Sequence, residues 1–330
     1  MVELKKQIKS GQKIIAIYGL GNVGGPIAAA WLRKNATVIG VDISKDLLLN
    51  IKNNSSHKKE PYISETFTKG LRKQKFSLTT DGVKASMLST IKFVAVPVDI
   101  KQNKINLNKL VSATTAISKG LKKGHTVVIC PSLPPGTTEK LVKEILEKHS
   151  KLKAEKDFNL IYNPERIFEG RALQDIEENY PAIVSGYGPK SLKFADELLK
   201  IISKKGTLKM TSLANAEAEK LFEGVYRDVN IALANELSEY CEQIGVNYWD
   251  ARKGANSQPF CHLHYPGTGV GGLCIPVYPK FVIESSKKIG KHVKLIEYSR
   301  KINDQKPKKC VQDALSLFKN NVKGIKVAVL

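Results

Sequence analysis

The sequence predicts an α/β protein, a doubly wound parallel sheet followed by a domain built on one long helix. Short apolar runs alternate with helical stretches over the first two hundred residues, and a glycine-rich turn follows the first run. From residue 213 onward, apolar residues recur at three- and four-residue spacing.

The runs are IIAIYG (14–19), TVIGVDI (37–43), IKFVAVPVD (91–99), HTVVICPS (125–132), FNLIYNP (158–164) and PAIVSG (181–186). Nearly continuous Ile, Val and Ala suits parallel strands covered by helices on both faces. These runs predict a first domain over residues 1–210. Residues 211–320 form a second, helical domain. It opens with a helix over 213–244 that carries Leu221, Val225, Val229, Ala232, Leu233, Leu237, Tyr240 and Ile244 on its apolar face and stops at Gly245. After it, residues 247–286 are rich in glycine and proline around Cys274, and residues 287–320 read as helical and basic. The closing GIKVAVL reads as another buried strand, so residues 321–330 are expected to begin a third α/β domain that is truncated at its first strand.

Among 330 residues, 53 are basic, only seven of them arginine, and the formal net charge is +22. The basic residues come as singles and pairs, without the runs or basic-aromatic stripes of a nucleic-acid surface, so no nucleic-acid partner is expected. Five cysteines at 130, 241, 261, 274 and 310 contain no C-x-x-C pair, which speaks against a disulfide framework or zinc ribbon and for a reducing cytoplasm. Cys261, His262 and His264 are too crowded for a metal site, and none is expected. Residues 14–32 are uncharged, yet four glycines, Asn22 and Pro26 suit a strand, turn and helix start better than a membrane span.

Gly19-Leu20-Gly21-Asn22-Val23-Gly24 fits G-x-G-x-x-G between a strand and a helix. The first glycine permits the tight turn, the second a close pyrophosphate and the third close helix packing, which is the dinucleotide turn of a Rossmann fold. Asp42 ends the next strand, where its carboxylate can hold a ribose diol and repel a 2′-phosphate; the expected cofactor is NAD. Cys274 lies after four glycines in GTGVGGLCIP (267–276), where close backbone approach and a helix start suit a nucleophilic thiol. A lone cysteine is otherwise most often a buried hydrophobe.

Five segments carry a resemblance: GLGNVGGP (19–26), PSLPPGTT (131–138), NPERIFEGRAL (163–173), AEAEKLFEGVYRDVNIALANEL (216–237) and PGTGVGGLCIPVYP (266–279). In these, over nearly its whole length, the chain resembles the UDP-glucose/GDP-mannose dehydrogenase family. The resemblance implies oxidation of the 6-hydroxymethyl of a UDP-sugar to the carboxylate with two NAD, through a cysteine thiohemiacetal and thioester. It assigns Cys274 as nucleophile, Lys220 as oxyanion stabiliser, Glu165 as the carboxylate that positions water, and Ser132 as neighbour of the reacting carbon. It adds Pro97, Ser132 and Glu169 to the cofactor site, and Arg166, Ile167, Gly224, Gly271 and Gly272, with Glu165 and Lys220, to the substrate site. A homodimer packed through the 213–244 helix is also implied.

Members often have asparagine where this chain has Gly224, histidine at Leu273, aspartate at Tyr278 and arginine at Phe260. YRDVNIALANEL leans toward UDP-N-acetylmannosamine or UDP-N-acetylglucosamine as substrate, and Glu169 toward UDP-glucose. The departures and the short C-terminus motivate a reading of another class, a non-catalytic NAD-binding or assembly protein. They also lead to the expectation that the chain keeps NAD binding and the reactive cysteine but holds the UDP-sugar weakly.

Overall fold

Among the described residues ten strands form, most of them where the β-type runs predict. In a computed structural model, which describes residues 1–102, 104–318 and 323–328, they are β1 Ile15–Tyr18, β2 Val38–Val41, β3 Phe76–Thr79, β4 Ile91–Val94, β5 Asp99–Lys101, β6 Lys104–Asn106, β7 Thr126–Ile129, β8 Asn159–Tyr162, β9 Ala182–Gly186 and β10 Thr207–Lys209. Eight of them make one sheet in the order β10-β9-β8-β7-β4-β1-β2-β3, and β5 with β6 makes a separate antiparallel hairpin. From β3 to β8 every pairing in the large sheet is parallel; β9 joins β8 antiparallel, and β10 runs with β9.

The chain divides into two compact units, Met1–Lys220 and Leu221–Leu330. The first holds both sheets. Strands β1, β2, β4, β7 and β8 are buried along their whole length because their residues point alternately to two cores. Ile15 and Ile17 join Trp31, Phe67, Phe93 and Val128 on one side, whereas Ala16 and Tyr18 join Val127, Ile129, Leu160 and Tyr162 on the other. The order β3-β2-β1-β4-β7-β8 reverses direction at β1, so a crevice opens between the carboxyl ends of β1 and β4, the place where such sheets take ligands. The uncharged 14–32 stretch resolves into β1, a turn and the helix Gly24–Arg33. Among the described residues no helix is long and apolar enough to cross a membrane.

The helix Leu213–Gln243 follows its predicted span, and the division between the units falls within it. It ends where Gly245 takes φ 70°, a left-handed stop. The second unit adds the helices Tyr248–Ala255, Tyr278–Lys288 and Lys294–Leu317. The basic helix thus begins at Lys294 rather than 287, because Gly290, at φ 69°, interrupts the turns between. Of the strand expected at the C-terminus, residues 325–328 are exposed and carry no strand pairing among the described residues, and residues 329–330 lie outside them. The sequence reading did not anticipate β3, β10 or the hairpin. β3 and β10 border the sheet, and Leu208 of β10 stays half exposed, so neither needs a continuous apolar run.

Candidate active site

The cofactor candidates gather at the carboxyl edge of the parallel strands. Gly19 leaves β1 with φ 88°, and a Cβ there would stand 2.9 Å from the Ala95 carbonyl oxygen beyond β4. At Gly24 a Cβ would fall 1.8 Å from the Gly19 carbonyl oxygen, so only glycine lets the following helix sit this close to the turn. Asn22 and Val23 lie between, at the amino end of that helix. Among the described residues nothing comes within 4 Å of the corresponding position on Gly21, so the turn is open to a ligand there. Asp42 follows β2. Its Oδ2 accepts the Leu20 N–H at 2.8 Å and its Oδ1 the Ser44 N–H at 2.9 Å. Two bonds leave lone pairs for a ribose diol. Pro97 is exposed beyond β4 and Ser132 half-buried beyond β7, on the same edge. The turn, the helix start and Asp42 therefore fit a dinucleotide.

Glu165 is half-buried just past β8, three strands from β1, a separation of roughly 14 Å at ~4.8 Å per strand. Burial pushes its carboxyl up to about 7 against the opposing pull of the Lys220 and Arg166 charges. That value is suited to a base near neutral pH. The same surroundings, with Glu165 itself, raise the Cys130 thiol well above its ordinary value, and Cys130 is a core residue. The loop after Glu165 is tied down at several points. Arg166 reaches the Pro181 carbonyl at 2.5 Å and lies 5.1 Å over the Tyr180 ring, an engagement that a substrate contact would have to share. Ile167 packs against the core, and Glu169 is exposed with Lys59 at 3.7 Å.

Glu217, which sequence reasoning passed over, explains how Lys220 is placed. It is fully buried and accepts the Gly136 N–H at 2.5 Å, the Thr138 N–H at 2.8 Å and the Thr138 hydroxyl at 2.6 Å. Burial drives its carboxyl to about 7 while these bonds pull it back. Residues 217 and 220 share a helix face at i, i+3. One carboxylate thus pins the PSLPPGTT loop, with Ser132, to the turn of helix that carries Lys220. Its signal was a glutamate inside an otherwise small-residue helix start.

The cysteine loop belongs to the second unit. Cys274 is exposed, and its carbonyl accepts the N–H groups of Val277 and Tyr278 at 3.0 Å each, just ahead of the helix Tyr278–Lys288. Gly271 and Gly272 have open surroundings among the described residues, with Gly272 at φ 88°. The start of the loop is held from the long helix. Asn235 accepts the Gly267 N–H at 2.9 Å and donates to Asn303, which bonds Asp228, and Asp228 pairs with Arg300. All four side chains are buried. Asp228 and Asn235 sit seven residues apart in the apolar pattern, a trace of this network in the sequence. Gly224 and Tyr278 meet directly: a Cβ at 224 would lie 2.4 Å from Tyr278 Cδ2. The residues at two of the sequence departures are therefore in contact with each other. Leu273 and Phe260 are strongly exposed. Cys261 points its sulfur toward Asn256, and the His262 and His264 rings stand edge-on 5.3 Å apart.

Residues 13–203 match the NAD-binding domain of the UDP-glucose/GDP-mannose dehydrogenase family, and residues 214–305 match its central domain. A UDP-N-acetyl-D-mannosamine dehydrogenase of Methanococcus vannielii is 33% identical over 99% of this chain and 73% of its own. A protein of the same name from Campylobacter jejuni is 34% identical over 96% and 77%. The structure of UDP-D-ManNAc dehydrogenase from Pyrococcus horikoshii superposes with a TM-score of 0.87 at 31% identity, covering 93% of this chain and 72% of that one. The UDP-N-acetyl-mannosamine dehydrogenase of Staphylococcus aureus gives 0.82 at 28%, covering 94% and 72%.

Proposed function

Since the chain belongs to the UDP-glucose/GDP-mannose dehydrogenase family, we propose that it oxidises the 6-hydroxymethyl of UDP-N-acetylmannosamine to the carboxylate, with UDP-N-acetylglucosamine and UDP-glucose as poorer candidates. The relatives named for the first of these, at 33% and 34% identity over nearly the whole chain, support that choice. The observation that carries the reaction class is the dinucleotide turn with Asp42, on the same strand edge as the Glu165 carboxyl, on which the Lys220 and Arg166 charges act.

NAD held by residues 19–24 and Asp42 supplies the hydride acceptor. In this reading Lys220 stabilises negative charge on the oxygen of the reacting carbon. Ser132 donates to the same oxygen. Cys274 adds its sulfur to the aldehyde left by the first oxidation, holding the carbon as a thiohemiacetal and, after the second, as a thioester. Glu165 in its ionised form takes a proton from the water that cleaves that thioester, and the thiol is regenerated.

Phe222, Tyr226, Leu233 and Tyr240 of the long helix, and Ile244 just past its end, are all exposed, at four- and seven-residue intervals. An apolar stripe of this length supports a homodimer packed helix to helix. The five free cysteines suit a cytoplasmic setting.

A covalent intermediate tests the chemistry. The Glu165→Gln variant, mixed with NAD and UDP-N-acetylmannosamine and quenched in acid, should carry a sugar-nucleotide adduct on the peptide containing Cys274, visible by mass spectrometry. Turnover by the parent chain without any adduct in the variant, or an adduct that persists in Cys274→Ala, would remove Cys274 from the mechanism.

A further inference from the structure

One short turn touches both halves of the strand-edge site. His57 lies against the dinucleotide turn: its Nε2 is 2.9 Å from the Leu20 carbonyl oxygen and 3.3 Å from that of Gly21. A carbonyl can only accept, so Nε2 carries the proton. The ring is braced edge-on against Phe67, which is fully buried, at 5.5 Å. Gly25, outside the G-x-G-x-x-G triplet, makes room for it, since a Cβ there would stand 2.3 Å from His57 Nε2. Three residues on, Glu60 is buried and faces the other way. Its Oε1 accepts the Gly170 N–H at 2.8 Å and its Oε2 the Ala172 N–H at 3.1 Å, closing the loop that carries Glu165 and Glu169. The two residues are locked together by the Glu60 N–H on the His57 carbonyl at 2.9 Å, and His57 holds φ 51°, a conformation that persists only where its surroundings impose it.

We infer that His57 and Glu60 are positioning residues that couple the dinucleotide turn to the acid loop. The physical basis is the planar trans peptide, in which C=O and N–H point in opposite directions. By holding the carbonyl of Leu20, and sharing that of Gly21 with the Gly25 N–H at 2.9 Å, His57 turns the N–H groups of Gly21 and Asn22 away from itself and outward, where a pyrophosphate accepts them. A ligand that tightens this turn fixes His57, hence Glu60, hence the 165–172 segment. By reciprocity, a loosened acid loop weakens the dinucleotide. The inference deepens the proposed reaction and rests on residues 19–24 seating NAD.

NADH binding, read by fluorescence, and amide exchange of residues 165–172 test it without turnover. Glu60→Gln keeps the size but sets an amide donor against a backbone donor. It should weaken NADH binding roughly two- to twelvefold, the range expected for one lost hydrogen bond, although residue 60 is bonded to the acid loop and not to the turn. His57→Ala should weaken it by a similar factor, His57→Gln, which keeps a donor, should recover most of it, and the double variant His57→Ala/Glu60→Gln should be no weaker than the weaker single one. NADH should slow exchange at 165–172 in the parent and not in Glu60→Gln. Parent-like NADH affinity in Glu60→Gln, or fully additive losses in the double variant, would overturn the coupling and leave the dinucleotide site standing. Failure of the parent chain to bind NADH would overturn both.

Discussion

Gly224 and Tyr278 show how a single residue pair sets local chemistry. The Tyr278 ring occupies the space that any side chain at 224 would need. Gly224→Asn should therefore destabilise the chain by about 1–3 kcal/mol through overpacking. The double variant Gly224→Asn/Tyr278→Asp should lose at least ~0.5 kcal/mol less than the sum of the singles. Urea melts of the four proteins check this, and strict additivity would mean the contact has no energetic content. At Glu165 the prediction concerns pH. Its carboxyl is raised to about 7, so in the proposed reaction the base form disappears below that pH. The rate should then fall on the acid side with a midpoint near 7, and Glu165→Gln should lose both that limb and about 10²–10⁴-fold in rate. A pH profile of the variant that keeps the limb would assign it to another group.

At the scale of elements, the sheet interior holds a lysine. Lys92 on β4 is fully buried and donates to the Ser89 carbonyl and to His125 Nδ1. Burial, with the Lys122 charge, lowers its amine from 10.5 to about 6. Between those values the unfolded chain binds a proton that the folded chain does not. Stability should therefore rise with pH across this window, by at most ~1.4 kcal/mol per unit, and the contribution is lost as pH falls toward 6. Lys92→Met should flatten that slope and raise the melting temperature at neutral pH; an unchanged slope would mean the amine stays charged in the fold. In the second unit, Asp228→Ala takes from buried Arg300 its buried partner, leaves it only the half-exposed Asp304, and should cost about 3 kcal/mol by denaturant titration. These two features mark where sequence reading stops. Six strands and the long helix were legible because covered parallel strands and an amphipathic helix impose apolar periods. The residues of the site were legible as far as glycine turns and family-like motifs reach. Glu60 and Asn303 were not, because a buried hydrogen bond between segments distant in sequence leaves no local period; Glu217 and Asp228 left only a polar residue within a small-residue or apolar stretch.

For the whole molecule, the exposed stripe from Phe222 to Ile244 should hold two copies together. Tyr226→Glu with Tyr240→Glu should shift a dimer to monomer in light scattering while NADH binding persists, since neither residue belongs to the first unit. A parent chain that is already monomeric at micromolar concentration would exclude that role. The central claim is narrower, that this chain performs a four-electron oxidation of a UDP-sugar through Cys274. The most direct test is the amount of NADH formed per sugar consumed, measured with UDP-N-acetylmannosamine, UDP-N-acetylglucosamine and UDP-glucose for the parent chain and for Cys274→Ala. The account predicts two NADH per sugar for the parent, with the first sugar fastest, and no uronate from the variant. NADH binding without NADH formation from any of the three, or full turnover by Cys274→Ala, would contradict it.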